Sequence, residues 1–213
     1  MTVVLSHGTE YEDAVLRRFR RRHPRYKLVA SKAVGVALLP LDDFADMEGY
    51  LAGLRTTRKR VRRAERAGYT FSGFDPDERG TELLEIHASL PERQGRPIDP
   101  EYLDPDAVAA RGPNVEYVGV LHDGVVVAYG RLDYLGEIAG IGRVMGHGDH
   151  LDNGVMFLLT ARIVDHVKTA RPDVRYLLYD MFFGAPDGLR AFKTWLGFRP
   201  YYVRWVREPA RAG

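Results

Sequence analysis

Apolar residues recur at helical spacing in five stretches and alternate or run together in seven others. Tyr11, Val15 and Phe19 predict a first helix over Thr9–Arg22, with Thr9 as its cap and Pro24 beyond its end. Ala33–Leu39 is a short apolar run and reads as a strand. From Asp46 to Ala67, Tyr50, Leu54, Thr57, Val61 and Ala64 fall on one stripe, and Gly68 supplies the stop. Tyr69–Phe74 reads as a strand. Arg79–Ser89 reads as a helix on Leu83, Ile86, His87 and Leu90. Pro91–Pro113 is rich in Pro, Gly and charge and predicts a long loop with short helical turns, a length usually reserved for function or motion.

The C-terminal half is more regular. Val115–Leu121 and Val125–Asp133 flank His122-Asp123-Gly124, a strong hairpin signal. Glu137–Met145 predicts a third strand. Asp152–Ala170 predicts a long helix buried on Met156, Leu159, Ile163 and Val167. Arg175–Met181, Pro186–Leu196 and Pro200–Val206 then predict strand, helix and final strand, with Gly184 and Gly188 as turn punctuation. This order implies an α/β (α+β) fold with a mixed sheet and helices packed on it. The 213 residues suit a single domain over 1–213, with a basic helical lead-in over 1–68 and a sheet-containing core over 69–206.

Charge alters this picture more than composition does. The net charge of +2 conceals 15 Lys/Arg against 8 Asp/Glu in residues 1–66, and 16 against 21 in the rest. A basic N-terminal third suits a polyanionic partner, whereas part of the Arg17–Arg22 run also suits the negative end of a helix dipole. There is no cysteine, which excludes disulfides, thiolate metal sites and cysteine nucleophiles. The first residues carry no signal-peptide pattern and no stretch of about 18 apolar residues occurs, so a cytoplasmic protein with no membrane segment is expected.

Two segments carry a family resemblance. Phe44–Leu54, followed by Arg58-Lys59-Arg60-Val61-Arg62-Arg63-Ala64-Glu65-Arg66-Ala67-Gly68, resembles the acidic-aromatic lead and R-K-x-x-R-R-A-x-x-x-G helix of FemAB-like and related GNAT domains. Phe192-Lys193-Thr194-Trp195-Leu196-Gly197-Phe198 resembles the F-K-x-x-x-G-F element before the last strand of those proteins. The resemblance runs from about Phe44 to Trp205. It implies a GNAT-like sheet, splayed at its centre, and an acyltransferase that forms an amide on an amine acceptor. FemAB proteins usually hold two such domains, and this chain holds one.

The resemblance also implies that Lys193 lies near the polarised oxygen of the acyl donor. An ammonium there would stabilise the oxyanion that forms when an amine attacks an ester or thioester. Backbone donors near Met145 and Gly146 would assist. A lysine on the solvent face of its helix is the plainer alternative. Asp180, at the end of its strand, and His147 are the candidates to take the amine proton. Arg143, Tyr179 and Phe192 are expected to contact substrate. His147 and His150, with Asp149 and Asp152 nearby, lack a further ligand at suitable spacing, so no metal is expected.

Gly146–Gly154 stands where many GNAT enzymes hold the pyrophosphate of coenzyme A. Its glycines are present, but Asp149 and Asp152 would repel a pyrophosphate, and Asp152 or Asn153 can cap the following helix instead. FemAB-like enzymes lack that loop and take aminoacyl groups from tRNA. A tRNA donor gives the arginines a purpose: Arg55, Arg58, Lys59, Arg62, Arg63 and Arg66, with Arg21 and Arg22, are the expected phosphate contacts. Aromatic residues among them are sparse (Phe19, Tyr26 and Tyr69), so phosphate contact is favoured over base stacking. The expected donor is aminoacyl-tRNA or, as the alternative, acyl-CoA, with no permanently bound cofactor. The acceptor is a small amine, and a catalytically silent GNAT-like RNA-binding module is the non-enzymatic alternative.

Overall fold

The computed structural model describes residues 1–5, 10–22, 30, 32–93, 96–98, 100–104, 112 and 114–207. Its elements are β1 (Thr2–Leu5), α1 (Glu10–Arg20), β2 (Val34–Pro40), α2 (Met47–Ala52), α3 (Arg55–Arg66), β3 (Thr70–Gly73), α4 (Gly80–Ala88), β4 (Glu92–Arg93) and β5 (Arg96–Pro97). There follow β6 (Val115–His122), β7 (Val125–Leu135), β8 (Ile138–Gly146), α5 (Val155–Ala170), β9 (Tyr176–Met181), α6 (Asp187–Trp195), β10 (Arg199–Tyr202) and β11 (Arg204–Arg207). The main sheet has the order β10-β2-β9-β8-β7-β6-β3. It is mixed: β8 and β9 are parallel over Ile138–Gly140 against Tyr176–Leu178, and β2 is antiparallel to both β10 and β9. Among the described residues no helix is long and apolar enough to cross a membrane.

The chain divides into two compact units. The first comprises residues 1–43, 134–140 and 167–213. Its core gathers Val3, Leu5, Leu16, Phe19, Val36, Leu38, Ile138, Leu178 and Trp205. Helix α1 places Leu16 and Phe19 inward, with acidic residues in its first turn and Arg17, Arg18 and Arg20 in its last, as the helix dipole favours. The expected cap Thr9 lies outside the described residues. Strand β1 was not apparent in the sequence, because it has only four residues. It is fixed from the far end of the chain, by parallel pairing with β11. The expected single final strand over Pro200–Val206 is two strands. The ladder shifts between Tyr201 and Tyr202, and the Val203 amide donates to Ala33 O, so β10 pairs with β2 and β11 with β1.

The second unit comprises residues 44–133 and 141–166. Leu83, Ile86, Tyr117, Val126 and Tyr129 form its aromatic core. The single helix expected from Asp46 to Ala67 is broken into α2 and α3. Gly53 closes α2, and Leu54 leaves the helical region (φ −110°, ψ 67°). Asp46 caps α2 by accepting from the Gly49 amide at 2.8 Å. Thr57, Val61 and Ala64 bury one stripe of α3, and Gly68 adopts φ +85° beyond its end, as expected. Helix α5 begins at Val155 rather than Asp152. A 3₁₀ turn over Gly148–Asn153 precedes it and closes at Gly154 in a left-handed conformation, φ +85°. Neither Asp152 nor Asn153 therefore caps α5. In the first unit, Gly184 (φ +83°) does mark a turn, but Gly188 lies within α6.

Candidate functional site

The F-K-x-x-x-G-F spacing has a mechanical meaning. Helix α6 ends with the Phe198 amide donating to Lys193 O at 3.0 Å and the Gly197 amide to Thr194 O at 3.0 Å, with Gly197 at φ +84°. This is a Schellman ending, and it needs glycine at that position. It brings Lys193 and Phe198 onto one residue of β9. The Phe198 ring lies 5.6 Å from the Tyr179 ring, edge to face, and the Lys193 ammonium lies 4.7 Å from the Tyr179 centroid. Phe192 is partly buried one residue earlier.

Lys193 is not solvated. It is 1% exposed, and its Nζ donates to Met181 O at 2.8 Å. Among the described residues no carboxylate is within ion-pair distance of it. Burial pulls its pKa down to about 8, with the positive charge of Lys32 adding to the effect. Burial likewise pushes the Tyr179 phenol up to about 12. The ammonium thus has a backbone carbonyl and an aromatic face for company, and no carboxylate counter-ion among the described residues.

Asp180 follows Tyr179 with φ +50°, a left-handed conformation that aspartate adopts more readily than most residues with a side chain. Its exposed carboxylate is ion-paired to the Lys32 ammonium. Lys32, which the sequence did not single out, has its pKa lowered by burial and by the charge of Arg18. Next to it, Gly35 adopts φ +75°, and a Cβ there would fall 2.1 Å from Phe183 Cδ2. Gly35→Ala is therefore expected to destabilise the protein by about 1–2 kcal/mol from the backbone alone, and further by displacing Phe183. Chemical denaturation measures this, and a change under about 0.5 kcal/mol would show the close approach to be relaxed.

The other expected site residues, His147 and Arg143, belong to the second unit. The His147 Nδ1 accepts from the Asp149 amide at 3.3 Å. Its ring lies 5.6 Å from His150, which in turn lies 5.6 Å from His122. His150 Nδ1 bonds the Tyr69 hydroxyl at 2.7 Å, and Asn153 donates to that hydroxyl at 2.9 Å. The His150 pKa is lowered by burial first, then by His147 and His122. Arg143 places its guanidinium 4.5 Å over the Tyr102 ring. Fully buried His87 bonds the Tyr129 hydroxyl at 2.7 Å behind it. The structure thus brings Lys193, Tyr179 and Asp180 together in one unit and places His147 and Arg143 in separate clusters of the other.

Helix α3 presents Arg55, Lys59, Arg62, Arg63 and Arg66 to solvent, with Arg58 half-buried. An open depression of about 410 Å³ is lined by Arg55, Thr56, Arg58, Lys59, Arg62 and Arg66. None of the six cations Arg55, Arg58, Lys59, Arg62, Arg63 and Arg66 meets a carboxylate among the described residues, whereas Glu65 of the same helix pairs with Arg162 at 2.7 Å. Arg21 and Arg22 are also exposed but lie in the first unit. Phe19 and Tyr69 are buried, so neither offers a ring for stacking, and Tyr26 lies outside the described residues.

In the Gly146–Gly154 segment five amides have partners, the His147 amide donating to Val127 O at 2.8 Å. Gly148 N donates to Ser89 Oγ at 2.9 Å, Asp149 N to His147 Nδ1, His150 N to His147 O, and Gly154 N to Leu151 O. A Cβ at Gly154 would fall 2.9 Å from Arg60 O, so the backbone of α3 stands against this turn. An incoming pyrophosphate would have to displace these bonds to use the amides.

No protein-family model and no curated protein matches the chain. Solved structures do. FemX matches 78% of this chain and 59% of its own, at 14% identity and a TM-score of 0.64. L-PGS from Bacillus licheniformis matches 79% and 59%, at 16% identity and 0.58. A tandem GNAT protein from the clavulanic acid biosynthesis pathway matches 79% and 50%, at 21% identity and 0.52. The chain therefore spans between 50% and 59% of the length of these three. At these identities the similarity is one of fold, and the fold is that of the GNAT proteins.

Proposed function

We propose that the chain is an acyltransferase that forms an amide, passing an aminoacyl group from aminoacyl-tRNA to an amine acceptor. The observation that carries the reaction type is Lys193, a buried ammonium on a GNAT-fold sheet with no carboxylate partner among the described residues. Such a group is costly to bury unless it meets an anion, and the anion of acyl transfer is the tetrahedral oxyanion. The acceptor nitrogen attacks the ester carbonyl, the oxyanion forms beside Lys193, and the C–O bond then breaks. The ribose hydroxyl of the tRNA leaves with a proton. Asp180 is the acceptor of the amine proton in this reading, since it neighbours Met181, whose carbonyl holds Lys193.

The occupied amides of Gly148, Asp149, His150 and Gly154 support a donor without a pyrophosphate at that turn. The cations of α3, which meet no carboxylate among the described residues, support a polyanionic donor, and the resemblance to FemAB-like domains points to tRNA. A cytoplasmic site of action accompanies such a donor. Incubation with tRNA charged with radiolabelled amino acids and a mixture of amine acceptors tests this. Label is expected to pass from alkali-labile ester to alkali-stable amide, and ribonuclease treatment beforehand is expected to abolish it. Transfer supported by acetyl-CoA and not by any charged tRNA would replace this reading with acyl-CoA N-acyltransfer. Binding of RNA without transfer from any donor would leave a silent RNA-binding module.

A further inference from the structure

The first unit carries a group of exposed apolar side chains that the reaction described above does not use. Val34 is 41% exposed, Tyr202 66% and Phe183 54%. They converge at one end of the β10-β2-β9 ladder: Val34 pairs with Tyr202, Val36 pairs with Met181, and the Phe182 amide donates to Gly35 O at 2.6 Å. Phe183 is not loose. Its ring lies where the Cβ of residue 35 would be, so the bare backbone of Gly35, held at φ +75°, is its support. A ring fixed on one side and open on the other is a stacking surface for a planar group.

Its position relative to Lys193 selects the group. Met181 O receives the Lys193 ammonium, and Met181 and Phe183 are two residues apart, a span of at most about 7 Å. In an aminoacyl-tRNA the adenine of the terminal nucleotide is one ribose away from the ester carbonyl. In acyl-CoA the adenine lies at the far end of the pantetheine arm and pyrophosphate. A stacking surface beside the oxyanion group therefore fits the first adenine and not the second. The surrounding charge agrees. Arg17, Arg18, Arg21 and Arg22 of the same unit are exposed, with no carboxylate partner among the described residues. The Lys32 amide donates to Phe19 O at 3.3 Å, which joins the basic end of α1 to the segment leading into β2.

We propose that Phe183 stacks on the terminal adenine of the aminoacyl donor, and that the basic end of α1 receives the adjoining phosphates. This rests on the aminoacyl-tRNA reading and deepens it. Two charged minihelices test it, one ending in adenosine and one with an abasic ribose at the same place. The wild-type protein is expected to favour the adenine-ended donor in kcat/KM by about 5- to 150-fold, the range of one base–aromatic stack. Phe183→Leu keeps apolar cover over Gly35 but no π face, and is expected to collapse that ratio toward unity. Phe183→Tyr is expected to keep it, which a merely structural role for the ring would not require. A wild-type protein that uses both donors equally, or a ratio untouched by Phe183→Leu in a protein that still transfers from RNA, overturns the stacking site and leaves the function reading intact. Transfer from acyl-CoA and from neither minihelix overturns both.

Discussion

Replacing Lys193 by Met is expected to lower the rate of acyl transfer by about 10²–10³-fold, equivalent to ~3–4 kcal/mol of oxyanion stabilisation. The thermal midpoint should hold or rise, because the substitution removes a desolvated charge whose partners among the described residues are Met181 O and the Tyr179 face. That pairing of effects separates a functional lysine from a structural one, whose loss would unfold the protein in step with activity. The pH dependence follows from the pKa drawn down to about 8 against an ordinary 10.5. Between these values the folded protein has lost a proton that the unfolded chain still binds, so stability contributed by this group rises with pH. Below about 8 the ammonium is charged in both states and the burial penalty is fully present. The rate moves the other way: it should fall as pH passes about 8, because the neutral amine no longer meets the oxyanion. Lys193→Arg keeps its charge and should lose this falling limb. A wild-type profile flat from pH 7 to 10 would remove the ammonium from the mechanism.

The second large effect concerns α3. Replacing Arg58, Lys59, Arg62 and Arg66 together by Gln is expected to weaken tRNA binding by about 10³-fold at low salt. The slope of log affinity against log salt should become shallower by about 3.6, since each of the four phosphate contacts contributes roughly 0.9. Stability should rise slightly. α3 holds seven cations and one acid in twelve residues, and its cations lie three and four apart on one face. Like charges at that spacing cost about 0.2–0.5 kcal/mol per pair. A helix that bears this repulsion, with its one acid paired to Arg162 and no carboxylate on these cations among the described residues, is suited to an external polyanion. Filter binding over a salt series measures the slope, and an unchanged slope in the quadruple variant would reduce the helix to a solvated face.

The element order was largely legible because it depends on local chemistry. The Asp123-Gly124 turn, the Gly68 stop of α3 and the buried Leu159, Ile163 and Val167 of α5 each act over a few residues, and each stands as read. Where the reading failed, a distant partner or a single backbone angle decided. β1 exists because β11 lies beside it, and α2 and α3 part at Gly53 and Leu54 within one continuous apolar stripe. Lys32 and Phe183 had no sequence signal at all. Their roles depend on Asp180 and Gly35, remote in the chain and brought to them only by the pairing of β2 with β9.

The sequence by itself determined the class of this protein: its periodicities, its turns, the basic helix over Arg55–Arg66, and the K-x-x-x-G-F spacing that ends α6. These follow from side-chain type and local backbone preference, which do not need the rest of the chain. Tertiary structure alone decided the state of the candidate site. Whether Lys193 faced water or Tyr179, whether the amides of Gly148–Gly154 were open or taken, and whether Asp180 stood alone or met Lys32 all depend on burial and on neighbours far away in sequence. The free energy of a charge is set by the medium and the groups around it, and folding is what supplies both.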